Sequence, residues 1–222
     1  MSVNFNVRYL GGPLLAALRR DPSLTGPICD GDVDFDPVEY ERKFFQDTPS
    51  RVLDRAPGAM SRLRERFETL RARILARQEE LLRSLDESGI ASSDLGPALR
   101  IGRSWWAMES MIHSTVGRRL IAEEEGEAIG DDVGYGPARL LSPVELGAIV
   151  PELEVVTRNE AEHRFRVYEA EEYANQRKIG NASPHACSDE DFDDWSWRPF
   201  CELRAFVRTT AERPAWLLKW YD

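Results

Sequence analysis

The segment Asp131-Asp132-Val133-Gly134-Tyr135-Gly136-Pro137-Ala138-Arg139-Leu140-Leu141-Ser142-Pro143-Val144-Glu145-Leu146 constrains the backbone more tightly than any other part of this chain. Two glycines and a proline bracket one tyrosine, which sets a tight turn. Arg139 to Leu141 then reads as a short strand. Ser142-Pro143-Val144-Glu145 is a capping box: the serine oxygen takes the amide three residues on, and Glu145 reaches back to the cap amide. Pro143 falls at the first helical position, where a missing N–H costs nothing. Asp131, Asp132, Tyr135 and Arg139 are the polar groups of this turn, and Trp105 and Glu109 complete a candidate ligand site with Asp132, Tyr135 and Arg139. In such a site Arg139 clamps an anion and Tyr135 orients it. The plainer reading pairs Arg139 with Asp132 to lock the turn.

The flanking sequence fits around this corner. Val3, Phe5, Val7 and Tyr9 alternate with polar residues, as in a half-buried strand. Gly11-Gly12-Pro13 ends it, and Leu14 to Arg20 is a short helix. Residues 25–58 look irregular and acidic, with Pro27, Pro37, Pro49 and Pro57. Met60 to Asp86 reads as one helix roughly 40 Å long, with a stripe of Leu63, Phe67, Leu70, Ile74 and Leu81. Gly89 to Gly102 reads as a linker. Ser104 is placed to cap a helix to about Glu125 whose Trp105/Met108/Ile112 stripe is core. Short helices are expected at about 143–150, 158–164 and 168–177, then a loop at 180–190. Asp191 to Arg213 is helical, started or kinked by Pro199. Trp216 to Tyr221 is a closing strand with both faces apolar. The expectation is one α+β domain over 1–222. A small sheet including the N- and C-terminal strands packs against several helices, and the long helix at about 60–86 lies within an enlargement at about 30–90.

Composition narrows the partners. A formal charge of -10 argues against nucleic acid, whose phosphates need a basic face, and suits a basic protein partner. Three cysteines, Cys29, Cys187 and Cys201, form no disulfide framework, which points to the cytoplasm. No apolar run reaches membrane-spanning length, and no basic region precedes the apolar patch at Tyr9, so neither a membrane span nor a signal peptide is expected. Asp30, Asp32 and Asp34 with Glu41 half-match a calcium loop, but Phe35 stands where glycine is required. His185, Cys187 and Cys201 have metal-binding chemistry without a zinc-site spacing. His113 and His163, the other histidines, fall in no nucleophile–base pattern, and neither a phosphate loop nor G-x-S-x-G is present. No catalytic residue, metal or cofactor is assigned. The arginine-rich helix 60–86 is a partner or dimer helix on one reading and a core helix on the other. Arg77 interrupts its heptad seam. Trp195, Trp197, Trp216 and Trp220 read as packing aromatics before they read as a ring-stacking site.

Val133-Gly134-Tyr135-Gly136-Pro137-Ala138-Arg139-Leu140-Leu141-Ser142-Pro143-Val144-Glu145 resembles the signature of the YfbM-like family, bacterial proteins of unknown function. Leu18-Arg19-Arg20-Asp21-Pro22-Ser23-Leu24, Arg103-Ser104-Trp105, Leu203-Arg204-Ala205-Phe206, Thr210-Ala211-Glu212-Arg213 and Leu217-Leu218-Lys219-Trp220 add to the resemblance. It implies a compact α+β fold and no established activity. The family's tryptophan helix carries histidines where this chain has Trp106 and Glu109, so a site built on them would be lost. The functional expectation is a non-catalytic cytoplasmic interaction protein, in its sharper form an immunity or antitoxin protein. The alternative is a small-ligand-binding protein or enzyme with its site near the Gly-Tyr-Gly-Pro loop.

Overall fold

The computed structural model describes residues 4–46, 59–102, 105–178 and 192–222. Five strands, β1 (Phe5–Leu10), β2 (Ala98–Gly102), β3 (Glu127–Asp132), β4 (Pro137–Leu141) and β5 (Trp216–Tyr221), form one sheet in the order β2-β1-β5-β4-β3. Every neighbouring pair is antiparallel. The terminal strands are neighbours, in register from Phe5 opposite Tyr221 to Leu10 opposite Trp216. The fold is α+β, as the sequence implies.

Successive strand residues face opposite ways, and both faces of this sheet are covered. Leu217 and Tyr221 join Phe5, Val7 and Leu141 in one core, while Leu218 and Trp220 join Leu10, Ala138 and Leu140 in the other. Chain order sorts the layers. Helices α1 (Gly12–Arg20), α2 (Thr25–Cys29) and the C-terminal end of α4 (Ala59–Glu87) supply the second core. After β2 come α5 (Trp105–Met111), α6 (Thr115–Arg118), α7 (Pro143–Glu154), α8 (Arg158–Lys178) and α9 (Arg198–Ala211). Helices α5, α7, α8 and α9 supply the first core.

Several boundaries differ from the sequence reading. β1 is buried on both sides, with Asn6 2% and Arg8 0% exposed, and the 3-10 turn Gly31–Asp34 reaches Arg8 through Asp34. Arg8 donates from Nη1 to the Gly96 carbonyl at 2.9 Å and pairs through Nη2 with Asp34. Residues 25–46 are not irregular: α2, the 3-10 turn and α3 (Pro37–Gln46) fill them. The stretch 89–102 ends in edge strand β2. The tryptophan helix stops at Met111, and Ser114, which accepts the Gly117 amide at 2.8 Å, caps α6. Thr157 accepts the Glu160 amide at 3.3 Å and starts α8, which runs on through both helices expected at 158–177. A π turn at Asp193–Trp197 leads into α9, with Pro199 in its first turn. Ser104 and the 180–190 loop lie outside the described residues.

The long helix is present, and two different contacts hold it. Leu81 and Leu85 anchor its C-terminal end in the sheet core. Gln78, in the middle of the buried stripe, donates to the carbonyls of Val33 and Phe35 at 3.3 and 3.0 Å. Farther toward its N-terminus, Phe67 packs against Tyr40, Phe44 and Phe45 of α3, with ring centroids 5.5, 5.2 and 5.3 Å away. Helices α3 and α4 therefore make an arm with a small aromatic core of its own.

Removing the cation from the sheet should be costly, because it leaves the Gly96 carbonyl without its partner and Asp34 with Arg100 alone, 3.6 Å away. Arg8→Ala is expected to lower the unfolding free energy in urea by about 3–5 kcal/mol, and Asp34→Asn by a comparable amount, because it leaves the fully buried Arg8 guanidinium without its carboxylate. A clearly smaller loss in Asp34→Asn would show that the pair does not organise the turn over β1.

Candidate functional site

The Gly-Tyr-Gly-Pro turn docks onto the end of β5. The Tyr135 amide donates to the Tyr221 carbonyl at 3.1 Å, and the Val133 amide closes the turn onto the Gly136 carbonyl at 3.1 Å. Gly134 has φ +147°, and a Cβ there would meet the Tyr221 carbonyl oxygen at 2.5 Å, so only glycine fits this approach. The capping box forms as its spacing requires. The Glu145 amide donates to the Ser142 hydroxyl at 3.3 Å, and the Ser142 amide and hydroxyl donate to Glu145 at 2.8 and 2.7 Å.

The five sequence-derived site residues come from β3, β4, the turn between them and α5. Asp132 ends β3, beyond a register shift, and is exposed. Tyr135 is 43% exposed. Arg139 lies opposite Lys219 and donates to the Gly126 carbonyl at 3.4 Å, while its buried Nε has no partner. Among the described residues no ion pair joins Arg139 to Asp132. Trp105 packs edge-on against Tyr221, with ring centroids 5.1 Å apart. Glu109 belongs to a different surface, a groove of about 650 Å³ between α5 and α8.

This groove brings together residues that no motif connected. Glu109 and His113 are four apart on one wall. His163, Val167 and Glu171 are four apart along α8, which puts these three on one helix face, while His113 lies two residues past the end of α5. His113, His163, Glu109 and Glu171 make no hydrogen bond or ion pair with other described residues. Arg118 also lines the groove, its Nε on the Ile112 carbonyl at 2.8 Å. The local signal was the shared four-residue spacing, but nothing in the sequence shows that α5 packs on α8.

Lys219 was also missed. It is 0% exposed and donates from Nζ to the carbonyls of Arg119 and Ala122 at 2.8 and 2.5 Å. Arg119 bonds Glu125 and Glu145, both at 2.9 Å, which ties the lysine's carbonyls to the capping box. Tyr221, on the same face, donates to the Ile121 carbonyl. Burial brings the Lys219 amine down to about 7, with Glu125 opposing and Arg139 and Arg119 adding to the fall. Burial also opposes the Glu145 carboxylate, but the Ser142 amide and hydroxyl and the Arg119 guanidinium outweigh it and lower its pKa. Together Lys219, Arg119 and Glu145 pin the turn between α6 and β3 to the sheet.

No cation cage is formed where the sequence offered one. Asp30 caps the 3-10 turn through the Asp32 amide at 2.9 Å and pairs with Arg77 at 3.3 Å, and Asp34 pairs with Arg8. Among the described residues no three His, Cys, Asp or Glu side chains are grouped to hold a metal. His185 and Cys187 lie outside those residues, Cys201 is half-buried, and Cys29 is buried with its thiol pushed up by burial. No described helix is long and apolar enough to cross a membrane.

The architecture defines an antiparallel α+β protein with helices on both sheet faces and a helical arm. The chain belongs to a family described as a domain of unknown function, DUF1877, which matches residues 61–218. No curated protein and no solved structure matches it. The matched stretch includes the Gly-Tyr-Gly-Pro corner, most of the arm helix, β2 to β4 and β5 as far as Leu218, while β1 lies before it.

The buried amine sets a pH dependence. Below about pH 7 folded and unfolded chains both hold the Lys219 proton, and the cost of burying the charge is fully present. Between that pH and the ordinary value of 10.5 the unfolded chain binds more protons, so stability climbs with pH. The raised Cys29 thiol opposes this above about pH 9. Urea titrations from about pH 7 to 9 should show a rise in wild type that Lys219→Met abolishes. The same slope in both proteins would exclude Lys219 as its source.

Proposed function

We propose that this chain is a cytoplasmic, non-catalytic protein-interaction module, YfbM-like within its family, whose docking element is the α3–α4 arm. The carrying observation is the charge on that arm. From Ala59 to Gln78 there are six arginines and two glutamates, a local balance of +4 in a chain of -10. Arg62, Arg64, Arg66 and Arg73 are exposed and make no ion pair among the described residues. The net charge of the chain favours a basic partner, but the arm itself favours an acidic protein surface. Arginine side chains and an aromatic-braced helix suit such a contact. In the immunity or antitoxin form of this reading the partner is a toxin whose working surface the arm covers. We read the chain as one domain, because β1 lies between β2 and β5 and the sheet cannot be divided between segments. The arm lies within the enlargement at about 30–90.

The experiment is stoichiometric capture at about physiological salt, where exposed charges still act over about 8 Å. Wild type should retain one partner that R62E/R64E/R66E/R73E, with unchanged circular dichroism and melting temperature, binds at least tenfold more weakly. Equal retention by both proteins, or no stoichiometric partner of any kind, a second copy of the chain included, would overturn the reading.

A second reading is favoured by one observation: two of the three histidines meet Glu109 and Glu171 in one open groove. On this reading the chain binds a small polar ligand between α5 and α8, with Arg118 offering its terminal nitrogens to an anion and the carboxylates taking a cation. Inorganic phosphate and free glycine are suitable probes. Saturable NMR shifts of both the His113 and His163 rings, lost in Arg118→Ala for phosphate, support it. Unmoved rings end it.

A further inference from the structure

We infer that the surface the arm docks on is a second copy of this chain, at the acidic strip from Glu123 to Asp132, which takes in the turn before edge strand β3 and β3 itself. The inference rests on the arm being the docking element and names its partner. Between Leu120 and Ala138 there are six carboxylates and no basic residue. Glu125 is held by Arg119 and Glu127 by Arg19. Glu123, Glu124, Asp131 and Asp132 are exposed and make no ion pair among the described residues. β3 is the last strand of the sheet, and among the described residues nothing pairs with its outer edge.

The two surfaces complement each other. Four unpaired arginines lie on the arm and four unpaired carboxylates lie on the strip. Met60, 50% exposed, adds an apolar group to the arm. Pairing arm with arm fails on the same grounds: it would set arginines against arginines, and Arg77, already committed to Glu80 and Asp30, interrupts the seam. An arm on the neighbour's strip has neither fault. Each copy carries both surfaces, so a twofold exchange makes two such contacts and closes the assembly at a dimer. Complementary charge of this kind gives an association that salt weakens.

The test is sedimentation equilibrium of the full chain. At about 0.05 M salt wild type should weigh twice the 25.3 kDa of one chain, and at about 0.5 M salt its dissociation constant should rise at least tenfold. R62E/R64E/R66E/R73E and E123K/E124K/D131K/D132K should each be monomeric alone. Mixed together they should form a heterodimer, because each reversed arm or strip then meets its opposite. Circular dichroism of each variant checks the fold, and the mixture supplies the readout that a merely destabilised variant could not restore. A wild-type monomer at low salt, a dimer that survives both reversals, or failure of the mixture to associate overturns the inference. If the chain is monomeric but the arm variant loses a captured foreign protein, the interaction reading stands and this one falls. If arm reversal alters neither property, both fall.

Discussion

The pairing of β5 with β1 and β4 is the constraint on which the rest depends. One six-residue strand places Leu217, Lys219 and Tyr221 on one sheet face and Trp216, Leu218 and Trp220 on the other. Each set is the middle of a hydrophobic core, so neither helical layer can form around a sheet that lacks β5. The sheet joins the first strand to the last, and the two layers come from the two halves of the chain between them. Long-range pairing of this sort is slow to form and cooperative once made. The Gly-Tyr-Gly-Pro turn serves the same constraint. It fastens the β3–β4 hairpin to the Tyr221 carbonyl, and Gly134 is needed because any side chain would collide there.

A strand buried on both sides leaves no solvent face for a charge, yet each central strand carries one. Arg8 and Lys219 are both fully buried. A buried cation is tolerated when acceptors surround it, and these two find theirs in chain segments that would otherwise be loosely held. Arg8 gathers Gly96 and Asp34 over one face. Lys219 gathers the carbonyls of Arg119 and Ala122 over the other. Their role is to fix irregular chain to regular sheet, which apolar side chains of equal size could cover but not orient.

This explains which parts of the fold were legible. Alternation at Phe5–Tyr9 and Trp216–Tyr221, the helical stripe at Leu63–Leu81 and the Ser142–Glu145 box are local patterns, and each produced the element it implied. β2 and β3 were not legible because edge strands need few apolar residues; the sequence of β3, Glu-Ala-Ile-Gly-Asp-Asp, buries Ile129 alone. Arg8 looked solvent-facing because its partners, Asp34 and Gly96, are 26 and 88 positions away. The groove residues failed for the same reason: His113 and His163 are joined only by the packing of α5 on α8. Lys219 offered a usable signal, a lone charge inside an apolar strand, whose meaning required the positions of two distant carbonyls.

Charge along the chain has a spatial order that net composition conceals. The sum of -10 suggests an acidic particle, whereas the arm is locally positive and the β3 edge locally negative. Exposed carboxylates on an edge strand also discourage indiscriminate strand pairing, so the strip excludes partners that would add by backbone hydrogen bonds while leaving room for one that brings arginines. The arm meets the complementary requirement. Its aromatic core braces α4 against α3 through Phe67 and not through Arg62, Arg64, Arg66 or Arg73, so those side chains are not committed to the fold. An element stabilised on one face and unpaired on the other keeps its shape whether or not a partner is present, which lowers the ordering cost of binding. The Phe67 cluster is thus the structural condition for recognition by the arm, and the unpaired arginines are its chemistry.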